Sequence, residues 1–215
     1  MGRMSRALIA SAIGLTVVAM MVGSASAARQ PGRVPVKFGA NLTTHTQPSN
    51  SNPPEKCSET DDGDLEDAPC TRMMLSSEVG SPSGHLKAPS AGTITQIWVI
   101  AGHSGSFIPV VGFLSNLSGG SGNGKITAHG PVLQHGSSFT SGSTYTIFKF
   151  TGLHITVKKN EYLGFRSKST SILRCDSGSP RQLVFQPPLV VGAAPVANAG
   201  SDDCSMLIEA VMTPA

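Results

Sequence analysis

Polar and apolar residues alternate along several short stretches of this 215-residue chain. Residues 153–158 read Leu-His-Ile-Thr-Val-Lys, so every second side chain is apolar. Because successive side chains of a β-strand point to opposite faces, this alternation predicts a strand with one buried face and one face in water. The strands near Trp98 and Val110, in 93–100 and 107–114, are instead apolar on both faces, which predicts that they lie centrally and are covered on both sides.

The same patterns, separated by turn residues, recur along the chain and predict about nine strands. With 24 Gly and 15 Pro, turns are frequent and long helices are disfavoured. We therefore expect an all-β fold, a two-sheet antiparallel β-sandwich resembling a jelly roll, with a closed barrel as the alternative. The predicted strands are 93–100, 107–114, 126–134, 145–150, 154–157, 162–166, 172–175, 183–186 and 207–212, and a short strand-like piece lies at 36–40.

The first 27 residues have the pattern of a signal peptide. Arg3 and Arg6 precede an uncharged apolar run at 7–22, and Ala-Ser-Ala at 25–27 supplies small residues for cleavage. The run is shorter than the roughly 20 residues that a membrane span needs, so a retained anchor is the weaker alternative. We expect a secreted protein, extracellular or at the cell surface, with no stable membrane insertion after cleavage.

The rest of the chain is predicted to hold one domain. Residues 28–71 are rich in Pro, Asn and Ser and are expected to be irregular, with a disulfide loop, and to lie over the domain without joining its core. Residues 72–215 are expected to form the β-sandwich. Cleavage removes two arginines and lowers the formal charge from +3 to about +1. Because the remaining cations are scattered, we expect no nucleic-acid partner.

Four cysteines in an exported chain predict disulfide bonds. Three pairings are open, and we favour Cys57 with Cys70 and Cys175 with Cys204, because residues 57 and 70 bracket a short loop that has little else to hold it. In the chain-entropy view each bond is worth on the order of 3 kcal/mol. A metal site is the weaker alternative, since no C-x-x-C pair is present.

An acidic stretch at 59–67 lies inside the loop between Cys57 and Cys70. Asp62, Asp64 and Glu66 alternate there as calcium ligands do, and calcium prefers several carboxylate oxygens. The stretch lacks the spacing of an EF-hand loop, so a solvated surface is the alternative interpretation. Calcium is the one ion that this pattern suggests, and we expect no other cofactor.

Two glycine-rich segments imitate catalytic motifs. Residues 119–125 match most of a phosphate-binding loop, but Ile126 stands where a magnesium-binding hydroxyl belongs and no helix start follows. Residues 102–106 imitate a nucleophile elbow around Ser104, yet they lie between two predicted strands. We therefore expect a hairpin loop at 119–125 and a Gly-rich turn between two strands at 102–106, with no nucleotide ligand and no catalytic residue.

A catalytic triad assembled by the fold is left open as an alternative. Triads are defined by geometry, so Ser104 could meet a histidine from elsewhere in the chain. The candidates are His129, His135 and His154.

Three aromatic residues are candidates for a sugar-stacking surface. Trp98, Tyr145 and Tyr162 carry the ring faces on which saccharides stack. Core packing is the alternative for each of them, and the low number of Trp and Tyr residues favours it.

Four segments carry a resemblance to a known group of proteins. They are residues 88–98, 157–166, 172–178 and 182–189. In these segments the chain resembles a family of exported β-sandwich proteins from high-GC Gram-positive bacteria that has no assigned activity, over residues 70–213. Asn160-Glu161 stands where that family has Gly-Asp, a tolerable change because Asn also adopts left-handed turns. The resemblance implies a β-sandwich and carries over no functional residue.

These observations together favour a binding role. We expect a secreted, non-catalytic module that binds a cell-envelope or extracellular ligand, glycan or protein, through loops at one end of the sandwich. A secreted hydrolase with a site assembled by the fold is the first alternative. A structural surface or matrix protein is the second.

Overall fold

A computed structural model describes residues 33–48, 69–139, 144–167, 172–174 and 179–215. Within these ranges the chain forms strands and turns, with a single 3-10 turn at Pro82–Gly84. The prediction of an all-β chain is thereby confirmed. The strands are β1 (Val36–Gly39), β2 (Cys70–Met74), β3 (Gly92–Val99), β4 (Gly105–Ser118), β5 (Ser121–His129), β6 (Leu133–His135), β7 (Phe148–Val157), β8 (Tyr162–Ser167), β9 (Leu173–Arg174), β10 (Gln182–Phe185), β11 (Val196–Ala197), β12 (Gly200–Asp202), β13 (Ser205–Met206) and β14 (Ile208–Pro214).

The strands form antiparallel sheets of different size. The small sheet has four strands in the order β1-β14-β3-β7. The large sheet runs β11-β5-β4-β8-β2-β10-β12, with β6 paired to β4 beside this path. Strands β9 and β13 pair separately. Each described pair is antiparallel, as the sequence predicts.

The large sheet buries side chains on both of its faces. Val111 and Leu163 belong to the main core cluster, which also contains the inward side chains of the small sheet. Their chain neighbours Val110 and Tyr162 belong to a second cluster with residues of strand β10 and of the segment that follows it. Burial on two faces explains why the predicted strand at 107–114 lacks a polar alternation.

Strand β7 replaces two predicted strands. The sequence pattern predicts separate strands at 145–150 and 154–157, on either side of Gly152. In the structure Gly152 has a φ of +73° and lies in a bulge, where the register against β3 shifts between Ile94 and Gln96. The strand therefore continues through the glycine. The alternation at 153–158 is confirmed, since Leu153, Ile155 and Val157 are buried and the intervening residues are exposed.

The segment before residue 72 contributes more to the core than its composition predicts. Val36–Gly39 is a strand, as its pattern predicts, but it pairs with β14 and places Phe38 fully inside the core. The described part of 28–71 therefore does not lie over the core as expected. Cys70 and Thr71 likewise belong to strand β2, whose five residues are all buried. No helix among the described residues is long and apolar enough to cross a bilayer.

Candidate ligand groove

A groove of about 320 Å³ opens where strand β10 leaves the large sheet. Its floor includes Phe185, whose ring lies so close to Gly124 of β5 that a methyl group on that glycine would overlap it. The remaining walls come from Lys125, from the connection 186–195 between β10 and β11, and from β11 itself. The lining residues are Gly124, Lys125, Phe185, Gln186, Pro187, Pro188, Leu189, Val190, Ala193, Ala194, Val196 and Ala197.

Hydrogen bonds to the large sheet hold this connecting segment in place. The N–H of Leu189 donates to Thr71 Oγ1 at 3.0 Å, and its carbonyl accepts from Arg166 Nη2 at 2.7 Å. Further along, Gly192 N–H donates to the carbonyl of Ile126 at 3.3 Å. These contacts tie the segment to strands β2, β8 and β5, so the groove is formed before any ligand arrives.

The far end of the segment is held by Asn198. Its Oδ1 accepts the N–H of Gly122 at 2.9 Å, and its Nδ2 donates to the carbonyls of Gly120 at 3.0 Å and Gly200 at 2.6 Å. The Asn198 side chain thus joins the β4–β5 turn to Gly200, the first residue of strand β12.

The chemistry of the lining is apolar. Among its residues only Lys125 and Gln186 carry polar side chains, and none is an acid, a histidine, a serine or a cysteine. Val190 and Val196 are 66% and 48% exposed at the rim. The lining thus offers mainly apolar contact surface, the kind of surface that lines many ligand sites.

Several predicted site residues lie outside the described part of the chain. These are Asp62, Asp64 and Glu66 of the calcium hypothesis and Cys57 and Cys175 of the predicted disulfides. The other two cysteines, Cys70 and Cys204, are both buried, and neither is a free thiol. The favoured pairing stays a prediction.

In an acidic cluster near Cys204, the carboxylate of Asp202 already binds other groups of the protein. Asp202 Oδ2 pairs with the buried Arg72 guanidinium at 2.8 Å, and its Oδ1 accepts the N–H of Cys204 at 2.7 Å. Asp203 lies beside them. Asp202 is therefore engaged in holding β12 against β2, and the cluster serves the fold.

The two glycine-rich segments that imitate catalytic motifs form connections between strands. Gly119 and Gly120 make the turn of the β4–β5 hairpin with φ values of +52° and +89°, and Lys125 lies within β5. A hairpin is therefore present, but its loop is shorter than predicted, because strand β5 begins at Ser121. Ser104 is exposed just before β4, in a strand-to-strand connection as predicted.

Of the histidines proposed for a triad, only His135 is shown beside the Ser104 segment, since it pairs with Gly105 in the β4–β6 ladder. His129 and His135 place Nδ1 at 2.8 and 3.1 Å from the carbonyl oxygens of Gly130 and Gly136, and His154 is exposed on β7. His135 packs between Phe107 and Phe148, with ring centroids 5.9 and 6.3 Å away. Burial there lowers the pKa of His135. The structure thus brings His135 next to Ser104 along the backbone, but the His135 ring is buried among phenylalanines while Ser104 is exposed.

The three aromatic candidates do not form one surface. Tyr145 and Tyr162 are each 7% exposed and belong to different core clusters. Trp98 is half-buried on the outer face of the small sheet, where the ammonium groups of Lys37 and Lys149 lie 3.7 and 4.2 Å from its ring centroid. The two tyrosines serve packing, and lysines cover the tryptophan.

Sequence reasoning missed the groove because nothing in residues 187–197 identifies a site. The segment reads as a loop of Pro, Val, Gly and Ala, and only its Pro-Pro pair marks it as an ordered connection. Its position over the second core cluster depends on contacts with Thr71 and Arg166, which are remote in sequence.

Comparison with known proteins gives no relative. No protein-family model, no curated protein and no solved structure matches this chain.

Proposed function

We propose that this chain is a secreted, non-catalytic β-sandwich module of jelly-roll type that binds an extracellular or cell-envelope ligand in the groove beside Pro187 and Pro188. The groove carries the proposal, because it is preformed and apolar. Its volume of about 320 Å³ also falls at the lower end of known ligand sites. The core cluster shared by the small and large sheets supports the two-layer arrangement.

The lining favours a protein over a neutral glycan as the ligand. A saccharide that entered the groove would lose water from its hydroxyl groups, with only Lys125 and Gln186 to replace those hydrogen bonds. An apolar side chain of a protein segment loses nothing comparable, and it gains contact with Phe185, Leu189 and the rim valines. The ligand is therefore an extended protein segment with one or two apolar anchors.

A displayed library of random peptides tests this proposal. Peptides selected on the purified protein would be synthesised with a fluorescent label, and their binding followed by anisotropy. Val190→Asp places a charge at the groove rim and should weaken binding at least tenfold. Val132→Asp is the matched control, because Val132 is 57% exposed away from the groove and should leave binding unchanged.

The outcomes separate the ligand classes. A failure to select any peptide, or equal affinity for the wild type and Val190→Asp, would contradict a protein ligand in the groove. A parallel thermal-shift screen with a polysaccharide panel covers the glycan alternative. A polysaccharide shift that Val190→Asp abolishes would keep the groove and change its ligand to a glycan.

A further inference from the structure

The outer edge of β7 is the longest unpaired strand edge in the part of the chain that the structure describes. The small sheet ends at β1, with four residues, and at β7, with ten, whereas the large sheet ends at strands of two and three residues. Strand β7 pairs with β3 on one side. Within the described ranges its residues make no hydrogen bond to any segment other than β3. An open edge offers a row of N–H and C=O groups to another strand.

The usual protections of an exposed edge are sparse on β7. The strand contains no proline, and Lys149 is its one residue with a permanent charge. The Lys149 ammonium lies 4.2 Å from the ring centroid of Trp98 on the neighbouring strand β3, so this lysine leans away from the open edge. The bulge at Gly152 is the one irregularity along the edge.

This bulge determines which pairing the edge accepts. Before Gly152 the exposed residues are Lys149 and Thr151, and after it they are His154 and Thr156, so the exposed positions change from odd to even numbers. Residues directly opposite each other in an antiparallel pair share one face of the sheet. Two copies of β7 meet this condition when Lys149 lies opposite Thr156 and Thr151 lies opposite His154.

The same register matches the inward face. It places Phe148 opposite Val157 and Phe150 opposite Ile155, all of which contribute to the main core cluster. No two positive charges face each other. The edge is therefore complementary to itself at the eight positions outside Gly152 and Leu153, which favours a second copy of this chain over an unrelated strand.

We propose that two copies of this chain associate through β7, antiparallel and edge to edge, about a two-fold axis between Gly152 and Leu153. The two four-stranded sheets then form one continuous eight-stranded sheet. Pairing at the eight positions that flank the bulge of this ten-residue strand supplies on the order of eight main-chain hydrogen bonds. This association is independent of the groove and of its ligand.

A charge swap at Thr156 tests the register. In the dimer, Thr156→Lys puts a lysine opposite the partner's Lys149, twice by symmetry, and should weaken association about 2- to 30-fold. Thr156→Glu puts a carboxylate there and should strengthen association by a similar factor. Thr156 is exposed, so both variants should fold normally, which thermal unfolding checks. Sedimentation equilibrium from micromolar to millimolar concentration measures the association.

Ser115→Lys is the matched control, because Ser115 is an exposed strand residue on β4 and acquires the same charge. It should associate like the wild type. Wild-type protein that stays monomeric over the whole range would overturn the proposal. A dimer that responds equally to lysine and glutamate at position 156, or to neither, would also overturn it, since its contact would lie elsewhere or in another register.

Discussion

Thr127 Oγ1 lies 2.5 Å from Oε1 of Glu161 and donates a hydrogen bond to it. The glutamate is completely buried, and its second oxygen accepts the N–H of Lys158 at 2.8 Å. One carboxylate therefore closes the turn between β7 and β8 and joins that turn to strand β5 of the large sheet. Acceptors on a buried carboxylate are costly to leave unpaired, so this link is a sensitive point of the fold.

Replacement of Thr127 by valine should lower the free energy of unfolding by about 1–3 kcal/mol, because it removes a donor from a buried carboxylate and keeps the side-chain shape. Urea unfolding measures the change. Thr127→Ser is the control, since it retains the hydroxyl and should lose less. A larger loss in Thr127→Ser than in Thr127→Val would mean that the methyl group, and not the hydrogen bond, matters at this position.

The backbone of the turn between β7 and β8 leads to a second prediction. Asn160 has a φ of +68°, a left-handed conformation that Gly adopts without strain and that β-branched residues avoid. Asn160→Gly should therefore change stability little, whereas Asn160→Val should cost about 1–2 kcal/mol. Thermal unfolding of the two variants compares them. A valine variant as stable as the glycine variant would contradict the conformation of this turn.

His135 predicts a dependence of stability on pH. Burial lowers its pKa in the folded protein, while the unfolded value is about 6.5. The unfolded chain then binds more protons as the pH falls through about 6.5, so stability should decrease from there down to the folded-state pKa and level off below it.

Melting temperatures measured between neutral pH and mildly acidic pH test this dependence. His135→Phe should remove this part of the pH dependence, because phenylalanine suits the site between Phe107 and Phe148 and does not titrate. His154→Gln removes an exposed histidine and should leave the profile unchanged. If His135→Phe left the pH profile unchanged and His154→Gln altered it, His135 would not be the group that causes the pH dependence of stability.

A substitution at Gly124 tests how tightly the floor of the groove is packed. A Cβ at this position would overlap the ring of Phe185, which is 1% exposed, so Gly124→Ala must displace the ring. We expect a loss of about 1–3 kcal/mol in unfolding free energy and a change in the groove. Gly200→Ala is the control, because a methyl group there would meet no atom within 4 Å and the φ of Gly200 is not positive. Similar losses in both would contradict this packing.

Local patterns predicted the all-β class and most of the longer strands. The alternation at 153–158 identified the inward residues of β7, and the apolar run at 107–114 identified a strand buried on both faces. These features depend on near neighbours in the chain. The hairpin at 119–125 was predicted for the same reason, since its glycines mark a turn wherever the flanking strands lie.

Features that depend on distant partners escaped prediction. Strand β2 contains Arg72, whose charge interrupts an apolar pattern, and its pairing with the remote Asp202 accompanies its burial. The exposed β7 edge and the groove likewise result from how remote strands are arranged. Sequence periodicity contains no information on which strand becomes the edge of a sheet.

Strand β14 lies at the centre of the small sheet, between β1 and β3, and this position has a kinetic consequence. Its pairing of Val36 with Met212 joins segments from opposite ends of the described chain. Such distant pairings slow folding, because a long loop must close before any contact stabilises it. We expect the pairing of β1 with β14 to form late, after the hairpin of β4 and β5, so that this edge of the small sheet is completed near the end of folding.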